Sequence, residues 1–351
     1  MLESAKKWIV DTDWLASHLD APDLVIFDAS WHLPTAGRDP EAEYLKEHIP
    51  GALFFDIDDL TDEKSPLPHM LPSTVKFASR MKKMGVGDGM RIVVYDTLGL
   101  FSAARAWWTF RAMGHEDVAV LDGGLKKWKA EGRELEDGPA RKRTERHFTP
   151  LMNASLIRDM DDVKKAIAKR TQIVDARPAG RFEGKDPEPR PGLRSGHLPG
   201  ARNVPSQTLI TADGTLKPTA ELAKIFADAG IDPRHPVVTT CGSGVTASIL
   251  ALALAVLGQT NAAVYDGSWA EWGADNGLPH ANFTRSEVTG LTRRIRGANA
   301  PRATNVADAF GGGAAPREVQ RASADDVASF LAAFEGGVSR GLAESEGDSS
   351  N

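Results

Sequence analysis

The chain holds one cysteine, Cys241, in 351 residues. A single thiol excludes an intramolecular disulfide framework and a cysteine-rich zinc site. It suits a reducing compartment. Basic charge is also short: 42 Lys and Arg stand against 48 Asp and Glu, a formal net charge of −6. With no basic stripe, neither nucleic acid nor an anionic membrane is an expected partner. Long apolar runs are missing, and the longest, Ile249 to Leu257, is too short to span a bilayer. The opening MLESAKKWIVDTDWL carries charge where a signal peptide needs an apolar core. These absences predict a soluble, cytoplasmic protein. What remains is ordinary for a globular chain, 41% hydrophobic and 26% charged, and the length predicts two domains.

The chain repeats itself. LVIFDAS (24–30) echoes QIVDARP (172–178), and EHIPGALFFDI (47–57) echoes GHLPGARNVPS (196–206). RIVVYDTLGLFSAARAWW (91–108) echoes PVVTTCGSGVTASILALA (236–253), and AVLDGGLKKW (119–128) echoes AVYDGSWAEW (263–272). Four landmarks in one order, recurring after 144–149 residues, indicate a duplicated domain. Within each copy, near-continuous apolar runs such as Leu24–Phe27, Ile92–Tyr95 and Val118–Leu121 alternate with helical patterns. That predicts an α/β fold with a mostly parallel sheet covered by helices on both faces. Residues 5–135 form the first domain, 136–151 a charged, proline-containing linker, and 152–284 the second domain. Residues 285–351 read as a poorly structured extension with one helix, SADDVASFLAAFEGG (323–337), which has an N-cap serine and a terminal glycine.

The cysteine opens the loop Cys241–Gly242–Ser243–Gly244–Val245–Thr246. The loop follows a β-rich run and precedes an apolar helix pattern. Two glycines let the backbone turn inward so that several N–H groups address one centre, and a helix N-terminus adds positive potential. Such a setting favours thiolate over thiol and would stabilise a persulfide anion. A lone cysteine is commonly a buried structural residue. The end of a strand in an α/β sheet, however, is where ligands bind. Aligned on its landmarks, the first copy carries Thr97 where the second carries Cys241, so only the second copy can do thiol chemistry. A cysteine-dependent phosphatase needs an arginine six positions after the cysteine, where this chain has Ala247. His48 and His197 recur in both copies and read as structural turn residues. The tryptophans inside the landmarks read as packing residues.

These segments carry a family resemblance over residues 5–283. HIPGA with FFDID, HMLP, GRF.G, EPR, SGH.PGA.N.P, CGSGVTA and YDGSW.EWG resemble the two-domain rhodanese-like sulfurtransferases. The loop CGSGVTA is similar to that of the 3-mercaptopyruvate sulfurtransferases. The resemblance implies two tandem rhodanese-like domains, the second catalytic, with a C-terminal extension. It implies Cys241 as the persulfide carrier, with Gly242, Gly244, Val245 and Thr246 around the substrate. It implies Arg181 and Arg190 as a carboxylate clamp, chemistry that a planar guanidinium suits. Without it, the two arginines read more readily as solvated loop residues or as partners of Glu183 and Glu188. It further implies a serine-protease-like set of Asp58, His69 and Ser243, with the first two residues contributed by the first copy. Asp56 and Asp59 are close rivals to Asp58 that spacing does not separate.

The function so implied is transfer of sulfur from 3-mercaptopyruvate through a cysteine persulfide, releasing pyruvate, with no metal or organic cofactor. Acceptors would be a small thiol, a thioredoxin-like protein or cyanide. With no second cysteine the persulfide cannot be resolved within the chain, so an external acceptor is required. Thiosulfate-preferring rhodaneses resemble this pattern but place basic residues after the cysteine, where this loop has neutral Gly242 and Ser243. A thiosulfate:cyanide sulfurtransferase is one alternative. A persulfide carrier or binding protein without strong turnover is another.

Overall fold

A computed structural model of the chain describes residues 7–274 and 277–281, together with the backbone of 283–285 and 292–294. The predicted extension beyond residue 285 and its helix lie outside the described residues, apart from one short antiparallel ribbon. That ribbon pairs Phe283–Arg285 with Thr292–Arg294.

The first half runs β1 (Ile9–Val10), α1 (Thr12–Ala16), β2 (Leu24–Asp28), α2 (Pro40–Lys46), β3 (Leu53–Phe54), α3 (Thr74–Lys83), β4 (Arg91–Tyr95), α4 (Ala103–Ala112), β5 (Val118–Leu121) and α5 (Gly124–Ala130). The second half runs β6 (Ile157–Arg158), α6 (Met160–Ala168), β7 (Gln172–Asp175), α7 (Ala179–Phe182), β8 (Arg202–Asn203), α8 (Thr219–Asp228), β9 (Val237–Thr240), α9 (Ala247–Val256), β10 (Ala263–Tyr265) and α10 (Ser268–Trp272). The sheets have matching orders, β1-β5-β4-β2-β3 and β6-β10-β9-β7-β8. Every pairing in both is parallel. The central strands β2, β7 and β9 are buried nearly end to end, as apolar runs covered by helices on both faces must be.

The halves share one core. All ten residues of α4 and all ten of α9 are buried, and the two helices pack against each other. Their tryptophans, phenylalanine and leucines belong to a single apolar cluster that contains residues of both sheets. An α-helix apolar on every side, such as ASILALALAV, is stable only when enclosed in this way.

The contact between halves has approximate two-fold character. Leu71 N–H donates to the Asp266 carboxylate at 2.7 Å, and Leu216 N–H donates to the Asp122 carboxylate at 2.8 Å. The two leucines and the two aspartates occupy corresponding places in the repeat. Only one of these latches holds a cation. Arg105, on α4, ion-pairs with Asp266 at 2.8 Å, with both side chains at most 4% exposed. Burial raises the carboxyl of Asp122, which has no such partner, to about 6.

Candidate active site

Three backbone relations fix which residues of the halves correspond. Asp28 pairs with Tyr95 as Asp175 pairs with Thr240. Ala29 N–H donates to Tyr95 O as Ala176 N–H does to Thr240 O, both at 2.8 Å. Leu125 N–H reaches Asp96 O at 3.0 Å as Trp269 N–H reaches Cys241 O at 2.9 Å. The residue standing where Cys241 stands is therefore Asp96. This corrects the expectation of Thr97 by one position. The first-half loop, 96–102, is one residue longer than the 241–246 loop, and that insertion shifts the count made from the helices.

Cys241 leaves the end of β9 and is 2% exposed. Its loop is held from behind by the start of α10. Ser268 Oγ accepts Cys241 N–H at 3.3 Å, and Trp269 and Ala270 N–H donate to the carbonyls of Cys241 and Gly242. Among the described residues, no side chain takes the N–H groups of Gly242 to Thr246. Gly244 has φ +80, and a Cβ there would lie 2.7 Å from Arg105 Nη1, so glycine is required twice over. Gly242 has no positive φ, and a Cβ there would meet only Arg190 Nη1, at 3.7 Å. The inward turn thus rests on one glycine of the two.

A cavity of about 330 Å³ opens over this loop. Its lining includes Cys241, Gly242, Ser243, Val245 and Thr246, the two arginines Arg181 and Arg190, and Trp31, Leu33 and Phe101 from the first half. Arg190 donates to Ser243 Oγ at 3.3 Å. Burial pushes its guanidinium below the ordinary value, with the charge of Arg181 adding, while Cys241, Glu188 and Asp58 oppose the shift. Arg181 lies 3.9 Å from Glu188, and its buried Nε has no partner. The pairing with Glu183 that a plain loop reading allows is taken by Lys185. Glu188 is committed mainly to the fully buried Arg177, at 2.6 Å, and Arg177 also grips Asp175 at 2.8 Å.

The first half sends its histidine into this site. His69 Nδ1 lies 3.0 Å from Ser243 Oγ, and its Nε2 lies 3.1 Å from Asp58 Oδ1. The rival aspartates are engaged elsewhere. Asp59 binds Arg80 at 2.6 and 2.7 Å, and Asp56 accepts the N–H groups of Asp58 and Asp59. The bond to His69 holds the Asp58 carboxyl below its ordinary value, against partial burial, with help from Trp31 and Arg190. His69 itself sits at φ +59, an uncommon conformation for a residue other than glycine. Arg105 donates to its carbonyl, and Leu71 two residues on is tied to Asp266. The cross-half latch therefore pins the turn that presents the imidazole.

His48 and His197 are turn residues in the structure. Each is buried, with Nδ1 against a backbone carbonyl, of Tyr44 at 2.8 Å and of Phe182 at 2.7 Å. Trp31, Arg105 and Asp266 are the site's neighbours that sequence reasoning missed. Asp266 and Arg105 lie inside landmarks of the repeat, AVYDGSWAEW and RIVVYDTLGLFSAARAWW, and Trp31 directly follows LVIFDAS. Among the described residues, no cluster of three or more His, Cys, Asp or Glu is placed to hold a metal ion, and no helix is long and apolar enough to cross a membrane.

Residues 11–131 and 159–275 each match the family described as rhodanese-like domain. The 3-mercaptopyruvate sulfurtransferase of Escherichia coli K12 is 47% identical over 274 residues, covering 78% of this chain and 97% of that protein. Thiosulfate/3-mercaptopyruvate sulfurtransferase 1, mitochondrial, of Arabidopsis thaliana is 42% identical over 297 residues, covering 79% and 78%. The crystal structure of SseA from Escherichia coli, described as showing the rhodanese fold and mechanism of 3-mercaptopyruvate sulfotransferases, superimposes with a TM-score of 0.69. It is 45% identical and covers 75% of this chain and 99% of that one.

Proposed function

The chain belongs to the family of rhodanese-like domain proteins, and from that premise we propose that it is a sulfurtransferase taking sulfur from 3-mercaptopyruvate. The observation that carries the reading is the meeting of groups from two halves around one thiol. Cys241 shares a cavity with Arg181 and Arg190, and Ser243 beside it contacts His69, itself paired with Asp58. The names of the relatives in Escherichia coli and Arabidopsis support the donor.

In this reading Arg181 and Arg190 hold the substrate carboxylate and ketone. The Cys241 thiolate attacks the substrate sulfur, a sulfur–sulfur bond forms, and the carbon–sulfur bond breaks. Its electron pair leaves on carbon as the enolate of pyruvate. The proton lost from the substrate thiol ends on that carbon, with Ser243, His69 and Asp58 as the route. The N–H groups of 242–246, untaken by any described side chain, stabilise the persulfide anion on Cys241. Cyanide removes the outer sulfur as thiocyanate, or a thiolate removes it as a new persulfide, and Cys241 returns as thiolate. Small thiols and a thioredoxin-like protein are the proposed acceptors, and the reducing cytoplasm is the proposed compartment. The working domain bounds are 5–135 and 152–284, joined by 136–151. Supporting them, the two rhodanese-like matches, 11–131 and 159–275, fall within these bounds.

The test is a comparison of donors. Initial rates of pyruvate release from 3-mercaptopyruvate and of thiocyanate formation from thiosulfate are measured with cyanide in wild type, Cys241→Ser and Arg190→Ala. Mercaptopyruvate should be the better donor. Cys241→Ser should fall to the uncatalysed rate. Arg190→Ala should lose about a hundredfold in kcat/KM, since it removes one side of a desolvated charge pair. Faster turnover with thiosulfate would transfer the assignment to the thiosulfate reading that the Arabidopsis name also carries.

A further inference from the structure

Asp58 is the weak link of the relay. Its side chain is 66% exposed, so water competes for its oxygens and its bond to His69 does not by itself fix its orientation. One buried group does face it. The Trp31 indole N–H lies 3.2 and 3.1 Å from the two Asp58 carboxylate oxygens. The Trp31 ring is 6% exposed and meets the His69 imidazole edge-on, with centroids 4.7 Å apart at 81°. Its other neighbour is Phe101, stacked at 6.3 Å and 12°. One side chain thus touches both the aspartate and the histidine and also lines the cavity over Cys241.

Trp31 is in turn anchored by the first-half loop that lacks a cysteine. Its backbone N–H donates to Ser102 Oγ at 3.0 Å, and Ser102 Oγ donates to Ala29 O at 2.7 Å. Ser102 N–H is bound by the Asp96 carboxylate at 2.9 Å. A continuous path therefore runs from Asp96 through Ser102 and Trp31 to Asp58, His69 and Ser243.

We propose that Trp31 is a positioning residue of the site, whose indole N–H fixes the Asp58 carboxylate against His69. The loop of the non-thiol half thereby acts as the footing of the relay. This rests on the reading of the site given above. A fixed donor matters here because an ionised carboxylate that swings into water leaves the imidazole free to turn.

The test uses Trp31→Phe, which keeps an aromatic wall but removes the N–H with part of the ring, alone and combined with Asp58→Ala, the double variant separating the lost N–H from the lost packing. With 3-mercaptopyruvate, Trp31→Phe should lower kcat about three- to tenfold, the scale of one ordinary net hydrogen bond, since the exposed Asp58 is partly hydrated, and leave KM within about twofold. The acid limb of its kcat profile should move to higher pH, because the Asp58 carboxyl loses one of the groups holding it down. In the Asp58→Ala background, Trp31→Phe should cost nothing further. A readout independent of the donor is the titration of the Asp58 carboxyl by NMR in the full chain, which should rise in Trp31→Phe. An unmoved Asp58 titration, or losses that add in the double variant, would overturn the proposal. Absence of mercaptopyruvate turnover in wild type, with a raised Asp58 titration in Trp31→Phe, would overturn the donor assignment alone.

Discussion

Strands β4 and β9 end alike and diverge at the next residue. After β9 comes Cys241, and the N–H groups of 242–246 meet no side chain among the described residues. After β4 comes Asp96, whose carboxylate accepts the N–H of Leu98 at 2.9 Å, Phe101 at 2.7 Å, and Ser102 and Ala103 at 2.9 Å. The two loops differ by one residue in length, and in one half the N–H groups are satisfied by the protein's own anion. On the proposed function, those of the other half receive the persulfide anion. The cavity nearest the Asp96 loop, about 420 Å³, makes the same point. Two of its four basic residues, Arg38 and Lys129, are paired with Glu43 and Glu47, and Lys126 donates to the Ala212 carbonyl, whereas Arg181 in the second half keeps an unpartnered Nε. On the proposed function, the half without the thiol supports the half that carries it.

Two substitutions sharpen this contrast on the folding side. The larger effect belongs to the one latch that contains a cation. Arg105→Leu leaves Asp266 buried without its partner, and loss of one member of such a pair costs about 3–5 kcal/mol. Urea unfolding should show that loss, and the variant with both Arg105→Leu and Asp266→Asn should recover part of it. The smaller effect is at Asp96. Asp96→Asn keeps an acceptor of similar shape but loses the charge, so stability should fall by about 1–3 kcal/mol. An Asp96→Asn chain as stable as wild type would remove the claim that the first loop is filled by an anion.

The fold was legible because a duplicated pattern reports itself. Strands 24–28, 91–95 and 118–121 and the buried helix 247–256 lie where apolar runs between breakers place them. The assignment of Thr97 slipped because the extra residue lies within an irregular loop, where no period fixes the register. Cys241, Ser243 and Arg190 share one short span or one arginine-rich stretch and were visible as candidates. Asp58 could not be separated from Asp56 and Asp59, since all three occupy one turn and only tertiary partners divide their roles. Trp31, Arg105 and Asp266 come from separate elements that meet across the halves. No spacing in the chain encodes such a meeting, and nothing in their residue types announced it.

The most direct test moves the thiol. A chain with Asp96→Cys and Cys241→Ser carries one cysteine at the corresponding place in the other half. Wild type and this variant are treated with 3-mercaptopyruvate without an acceptor, and their intact masses are measured before and after cyanide. Wild type should gain one sulfur on Cys241 and lose it to cyanide, and the variant should gain none. A cyanide-removable sulfur on the relocated thiol would contradict the account, because the first loop would then be a competent cradle lacking only its cysteine.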